Sequence, residues 1–351
     1  MPSTPTLPPA VERGDEVAIL SPSAGLAAEF PRVYELGLDR LRDVFDLEPL
    51  EFPTARKSTE YLQDHPEERA EDVMEAFRDP EISAVIATIG GFDQVRILDH
   101  LDPAVLREHP TRFFGSSDNA NLANYLWREG VAACYGGDLM TTFAMQGSMR
   151  EYAVEYLERA LFEDELGELR PADEFTDQDL EWGDPENLDR HREHEPNPGR
   201  EWHGPERRVT GVTWGGSFEV VDLQLSVDRF LPDPGRLDGG VLLLETSEEL
   251  PEPWYVRQAL LGMGERGLLE RFDAVLVGRI KARSPTVERD ADERAAYRRR
   301  VRDAMLGEIR RYAPDAPVAF GVDFGHTAPT APVPIGGEAI VDAERERIAF
   351  R

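Results

Sequence analysis

Cysteine and lysine are nearly missing from this chain: Cys134 is the only cysteine, and Lys57 and Lys281 are the only lysines. A single thiol excludes any disulfide within the chain and removes the usual basis of a structural zinc site. Long apolar runs are lacking too. Stretches such as Val241 to Leu244 suit buried strands and fall far short of the roughly 20 apolar residues that a membrane-spanning helix requires. The opening Met1-Pro2-Ser3-Thr4-Pro5 has neither the basic region nor the apolar core of a secretion signal. The expectation is a soluble, cytoplasmic protein that engages no membrane. No G-x-G-x-x-G follows a strand pattern, which argues against a dinucleotide site. No basic patch interleaved with aromatics is present, which argues against nucleic acid as a partner.

What the chain has in excess is acid: 69 aspartates and glutamates stand against 39 basic residues, a formal net charge of -30. All basic residues but the two lysines are arginine. At ordinary salt such a charge strains a compact state by self-repulsion, whereas in molar salt the Debye length shrinks to about 3 Å and the repulsion largely vanishes. An acidic face for a basic partner is the competing explanation. The acids are spread along the whole chain and not blocked in one tail, which favours a halophilic host.

A length of 351 residues suggests two domains. In the first, apolar strand patterns (Val17 to Ser21, Ile82 to Ile89, Arg112 to Ser116, Val131 to Tyr135) alternate with helical ones (Phe30 to Phe45, Asn119 to Arg128, Tyr152 to Phe162). That alternation predicts an N-terminal α/β domain over residues 1–162 with a parallel sheet covered on both faces. In such sheets ligands bind beyond the carboxyl ends of the strands, where Ser21-Pro22-Ser23, Gly90-Gly91 and Ser117 fall. Residues 163–207 form a stretch rich in Asp, Glu, Pro and His, too long for an ordinary connection; Trp182 and Trp202 within it favour a lid over a polar linker. Its histidines, His191, His194 and His203, read as solvent-exposed loop residues and not as metal ligands. Residues 208–351 make a second domain with strands at Gly240 to Thr246, Ala274 to Ile280 and Val318 to Val322, and a hairpin-like end near Ile335-Gly336-Gly337. The basic run Arg298-Arg299-Arg300 reads as a solvated helix face.

The segment Phe113-Phe114-Gly115-Ser116-Ser117-Asp118-Asn119 places a hydroxyl at a strand-to-helix turn. α/β hydrolases present a nucleophile in this way, although an ordinary turn with a helix cap at Asp118 has the same pattern. Glu245 ends an apolar strand, either as a buried acid that needs a hydrogen-bond partner or as the start of the acidic turn Ser247-Glu248-Glu249. His326 follows Gly325 after another apolar strand. The chain order Ser, acid, His is that of the α/β hydrolases. Gly90-Gly91, with the amide of Asp118, offers an oxyanion hole or a simple tight turn.

Gly14-Asp15, Glu67-Glu68-Arg69-Ala70-Glu71-Asp72, Ala87-Thr88-Ile89-Gly90-Gly91, Gly115-Ser116-Ser117-Asp118, Leu244-Glu245 and Gly325-His326-Thr327 occur in that order. The ordered set resembles the LD-carboxypeptidase family of serine peptidases, and Ile89-Gly90-Gly91 with the long insert resembles its microcin C immunity branch. The resemblance implies Ser117 as nucleophile, Glu245 and His326 as its partners, and the backbone amides of Gly91 and Asp118 as the oxyanion hole. Gly90 and Trp182 become candidates for substrate binding. It also implies a β-rich C-terminal domain, a homodimer, no metal and no cofactor. The substrate is then either an L,D-peptide of murein type or a peptidyl or aminoacyl-nucleotide. Departures from the family pattern stand at Ser116, Asn119 and Phe92, and they bear on the substrate more than on the reaction. The rival from another class is a silent binding module that keeps the fold.

Overall fold

The computed structural model describes residues 5–351. Its first sheet has six strands in the spatial order Val333–Ile335, Ala133–Tyr135, Arg112–Gly115, Ile82–Ala87, Glu16–Leu20 and Glu48–Glu51. The five strands from the N-terminal half are mutually parallel, and their central members are buried on both faces. This is why they read as continuous apolar runs and not as alternating ones. Helices such as Pro31–Asp43 and Pro66–Arg78 each begin with a proline, which fits the first helical turn because its N–H would have no partner there.

The second sheet has eight strands, in the order Gly167–Leu169, Arg347–Phe350, Glu338–Asp342, Arg208–Ser217, Gly240–Glu245, Phe272–Gly278, Val318–Val322 and Glu201–His203. Four central strands run parallel, and antiparallel strands close both edges. The molecule is therefore a mixed α/β protein with a parallel-sheet domain and a second, sheet-rich domain. The apolar interior is continuous from one to the other.

Two segments cross the divisions that the sequence pattern suggests. Val333–Ile335 forms no hairpin with Glu338–Asp342; it pairs antiparallel with Ala133–Tyr135 and extends the first sheet. The acidic stretch 163–207 supplies an edge strand at each end of the second sheet. Between those ends, Thr176 and Ala328 exchange both backbone hydrogen bonds, at 2.7 and 2.8 Å. The Asp177 carboxylate is fully buried against Arg283 (2.8 Å) and Arg298 (2.6 Å). Burial alone would raise its pKa, but the two guanidinium groups hold it below the ordinary carboxylate range. Arg298 is thus committed to the insert, while Arg299 and Arg300 are exposed as the sequence suggests.

Candidate active site

The strand Arg112–Gly115 is buried at every position, and the chain then turns through Ser117–Asn119 into the helix Ala120–Glu129. Ser117 has φ 57°, in the left-handed region. A residue with a Cβ is strained there, and such strain at a strand-to-helix turn is how a hydroxyl is held clear of the backbone. The surrounding side chains over-determine the turn. Asn119 donates to the Ile89 carbonyl and to Asp138, both at 3.1 Å, and the Ser116 N–H donates to Asp138 at 2.9 Å. The Asp118 carboxylate is buried and accepts from the Gln94 N–H and the Asn121 side chain, both at 2.8 Å, and from the Ser23 hydroxyl. Burial raises its pKa, and these donors offset only part of the shift. The Asp118 side chain is therefore occupied in holding the turn.

Gly90 is where the turn meets the neighbouring strand. A Cβ there would lie 2.7 Å from Ser117 Cβ, so a bulkier residue would displace the serine. Gly91 is exposed, and neither its amide nor that of Asp118 donates a hydrogen bond among the described residues. The Ser117 hydroxyl likewise has no partner among them.

Glu245 ends a strand buried along its whole length. Its carboxylate accepts from the Tyr135 hydroxyl at 2.5 Å on Oε1, and from His326 Nδ1 at 2.7 Å on Oε2. The backbone N–H of His326 also reaches Oε2, at 3.2 Å. This approach depends on Gly325, which has φ +98°; a Cβ on it would fall 2.5 Å from Glu245 Oε2. Tyr135 joins the two halves, because its oxygen accepts the Ser117 N–H at 3.0 Å while its proton goes to Glu245. Burial, then the charge of Glu245, keep this phenol protonated.

Burial would lower the pKa of His326, but Glu245, Glu248 and Glu219 outweigh it and push it up to about 10. The other ring nitrogen, Nε2, lies 3.2 Å from Glu248. Lys281 Nζ reaches the His326 carbonyl at 3.3 Å, the Asp177 carbonyl at 3.2 Å and Asp179 at 3.1 Å. One of the chain's two lysines thus ties the insert to the His326 turn.

The structure brings Ser117, Glu245 and His326 into one connected cluster with Gly90 packed beneath the serine. Trp182 is half-buried and stands edge-on to Phe30, with ring centroids 5.5 Å apart. His203 pairs with Glu201 at 2.9 Å. Among the described residues no group of three or more His, Cys, Asp and Glu is disposed to hold a metal ion. No described helix is long and apolar enough to cross a membrane. Tyr135, Glu219, Glu248 and Lys281 escape sequence reasoning. A tyrosine ending an apolar strand just before Gly136-Gly137 is the one local signal that pointed to any of them.

Two family models cover most of the chain: the LD-carboxypeptidase N-terminal domain over residues 17–136 and the LD-carboxypeptidase C-terminal domain over residues 210–341. The chain belongs to the LD-carboxypeptidase family. A Bacillus subtilis protein named "Putative carboxypeptidase YocD" is 26% identical over 95% of both chains. The microcin C7 self-immunity protein MccF of Escherichia coli is 21% identical over 99% of this chain and 96% of its own. The crystal structure of an MccF-like protein from Streptococcus pneumoniae in complex with AMP superposes with a TM-score of 0.85 at 27% identity, covering 96% of this chain and 98% of that one.

Proposed function

We propose that this family member is a serine hydrolase that cleaves an amide bond through an acyl-enzyme. Ser117 attacks the carbonyl, His326 takes the serine proton and returns it to the leaving amine, and Glu245 fixes the imidazole's orientation. The free amides of Gly91 and Asp118 receive the oxyanion. Residues 1–162 supply the nucleophile and 208–351 the acid and base, while the intervening stretch walls the site. The observation that carries this reading is the 2.7 Å contact between Glu245 and His326, joined to a left-handed Ser117 through the single hydroxyl of Tyr135.

For the substrate we infer an L,D-peptide of murein type or an aminoacyl- or peptidyl-nucleotide. The family favours the first. The resemblance to an AMP-bound MccF-like protein favours the second, as does a halophilic host, for which ordinary murein is not assured. Trp182, on the insert, is the candidate to contact the distal part of either substrate. We further propose a cytoplasmic homodimer. The test is a hydrolysis screen in molar KCl with murein-type peptides and aminoacyl-sulfamoyl adenosines side by side, together with fluorophosphonate labelling. Labelling of Ser117 and turnover of one substrate class are expected. A protein that binds one of these ligands but neither hydrolyses nor labels would be a binding module of the same fold.

A further inference from the structure

His326 stands between two carboxylates. Nδ1 meets Glu245 at 2.7 Å and Nε2 meets Glu248 at 3.2 Å. Two carboxylates within ion-pair distance of one ring favour its charged form, in which both nitrogens carry protons. An imidazole in that state has no lone pair left to receive the proton of Ser117. Glu248 stands at Nε2, the nitrogen that the Glu245 contact leaves over, and Ser117 Oγ is without a partner among the described residues.

We propose that Glu248 is a positioning residue whose charge latches His326 in a resting, doubly protonated form, and that the base becomes available only when Glu248 is drawn off Nε2. The inference rests on the assignment of His326 as the base. The two carboxylates differ in the way a latch requires. Glu245 is fully buried and fixed by Tyr135 and the His326 backbone, whereas the Glu248 side chain is half-exposed on the loop between the strand Gly240–Glu245 and the helix Pro253–Glu265. Only Glu248 can swing away without leaving a buried charge unpaired. Substrate binding at Ser117 is the event that releases it.

The other charged groups around His326 do not supply this contact. Glu219, from the helix Phe218–Val227, is taken up by the N–H and hydroxyl of Ser247 at 3.1 and 2.8 Å. Asp138 is committed to Ser116 and Asn119. Lys281 reaches the His326 carbonyl and is paired with Asp179, and Asp323 is paired with Arg279. Glu248 is held ionised: burial would raise its pKa, but His326, local backbone donors and Lys281 bring it below the ordinary value.

The experiment compares wild type with Glu248→Gln in two ways. The His326 ring is titrated by NMR, its signal assigned by its loss in His326→Gln, and kcat and kcat/KM are followed against pH. A base works when deprotonated, so activity rises with pH through its pKa, and removing an anionic neighbour moves that rise downward. The His326 midpoint should fall by about one pH unit or more in Glu248→Gln. In wild type the rise in kcat/KM, which reports free enzyme, should lie at higher pH than the rise in kcat, which reports the substrate complex. In the variant the two should coincide. An unmoved His326 midpoint, or limbs that stay apart in Glu248→Gln, would overturn the latch. A shifted midpoint in a protein whose Ser117 resists fluorophosphonate would overturn the hydrolase reading instead and leave the contact standing.

Discussion

Ser117 and His326 are held in place by different means. The serine is fixed by its own backbone, a left-handed residue between a buried strand and a helix, with Asn119, Gln94 and Asn121 bracing the turn. The histidine is fixed by charge: Glu245 from a strand end, Glu248 from a loop and Glu219 from a helix all bear on one ring. A conformational device is set by the chain itself and depends little on salt. An electrostatic one can be tuned, and it is the half in which regulation is expected.

The largest effect should come from the conformational half. Ser117→Ala should lower turnover by roughly 10⁴-fold or more with no loss of fold, because the hydroxyl makes no structural hydrogen bond. Residual activity above a tenth of wild type would reassign the nucleophile. Glu245→Gln, nearly the same shape, should cost roughly 10²- to 10⁴-fold in kcat/KM by misorienting His326. Equal activity in that variant would mean that the charge of Glu245 is irrelevant to the base.

Smaller effects read stability. Gly325→Ala should destabilise by about 1–3 kcal/mol through left-handed strain, with further loss from its clash with Glu245, measured by denaturant melts. Gly239→Ala shares the positive φ but has open space around it, so it separates conformational cost from the clash. If the two variants are equally destabilised, the close approach to Glu245 has no energetic weight. Ser117→Gly should do the reverse and stabilise by about 1 kcal/mol as the strain is released; a glycine variant no more stable than Ser117→Ala would remove the strain argument. The least discriminating change is salt. With a net charge of -30, the melting temperature should rise from dilute buffer to molar KCl. The rise should be the same in wild type and Glu248→Gln, because one residue is a small part of that charge. A flat or falling melting temperature would remove the case for a halophilic host and make the murein-type peptide the leading substrate.

Where a feature depends on neighbours in the chain, it could be read from the chain. The strand, the Gly115-Ser116-Ser117 turn and the helix that Gly130 closes with φ +89° are all local. So is the start of the helix Ala291–Tyr312 that carries Arg298, which begins behind a capping box formed by Asp290 and Glu293. Where a feature depends on distant pairing, it could not. Val333–Ile335 looked like half of a hairpin and instead joins the other sheet. Arg298 looked solvated and is stapled to Asp177, 121 positions away. Glu248 looked like part of an acidic turn and sits on the catalytic candidate histidine.

The sequence by itself determined the α/β alternation, the turn that lifts Ser117, the family and the acidic surface, because periodicity, turn chemistry and composition act over a few residues. Only the tertiary structure decided which carboxylates meet His326, that Tyr135 bridges Glu245 to the Ser117 amide, and that Lys281 ties the insert to the His326 turn. Those contacts join residues up to 110 positions apart. They exist because two sheets close on one another, and no local pattern in the chain specifies which side chains will then face each other.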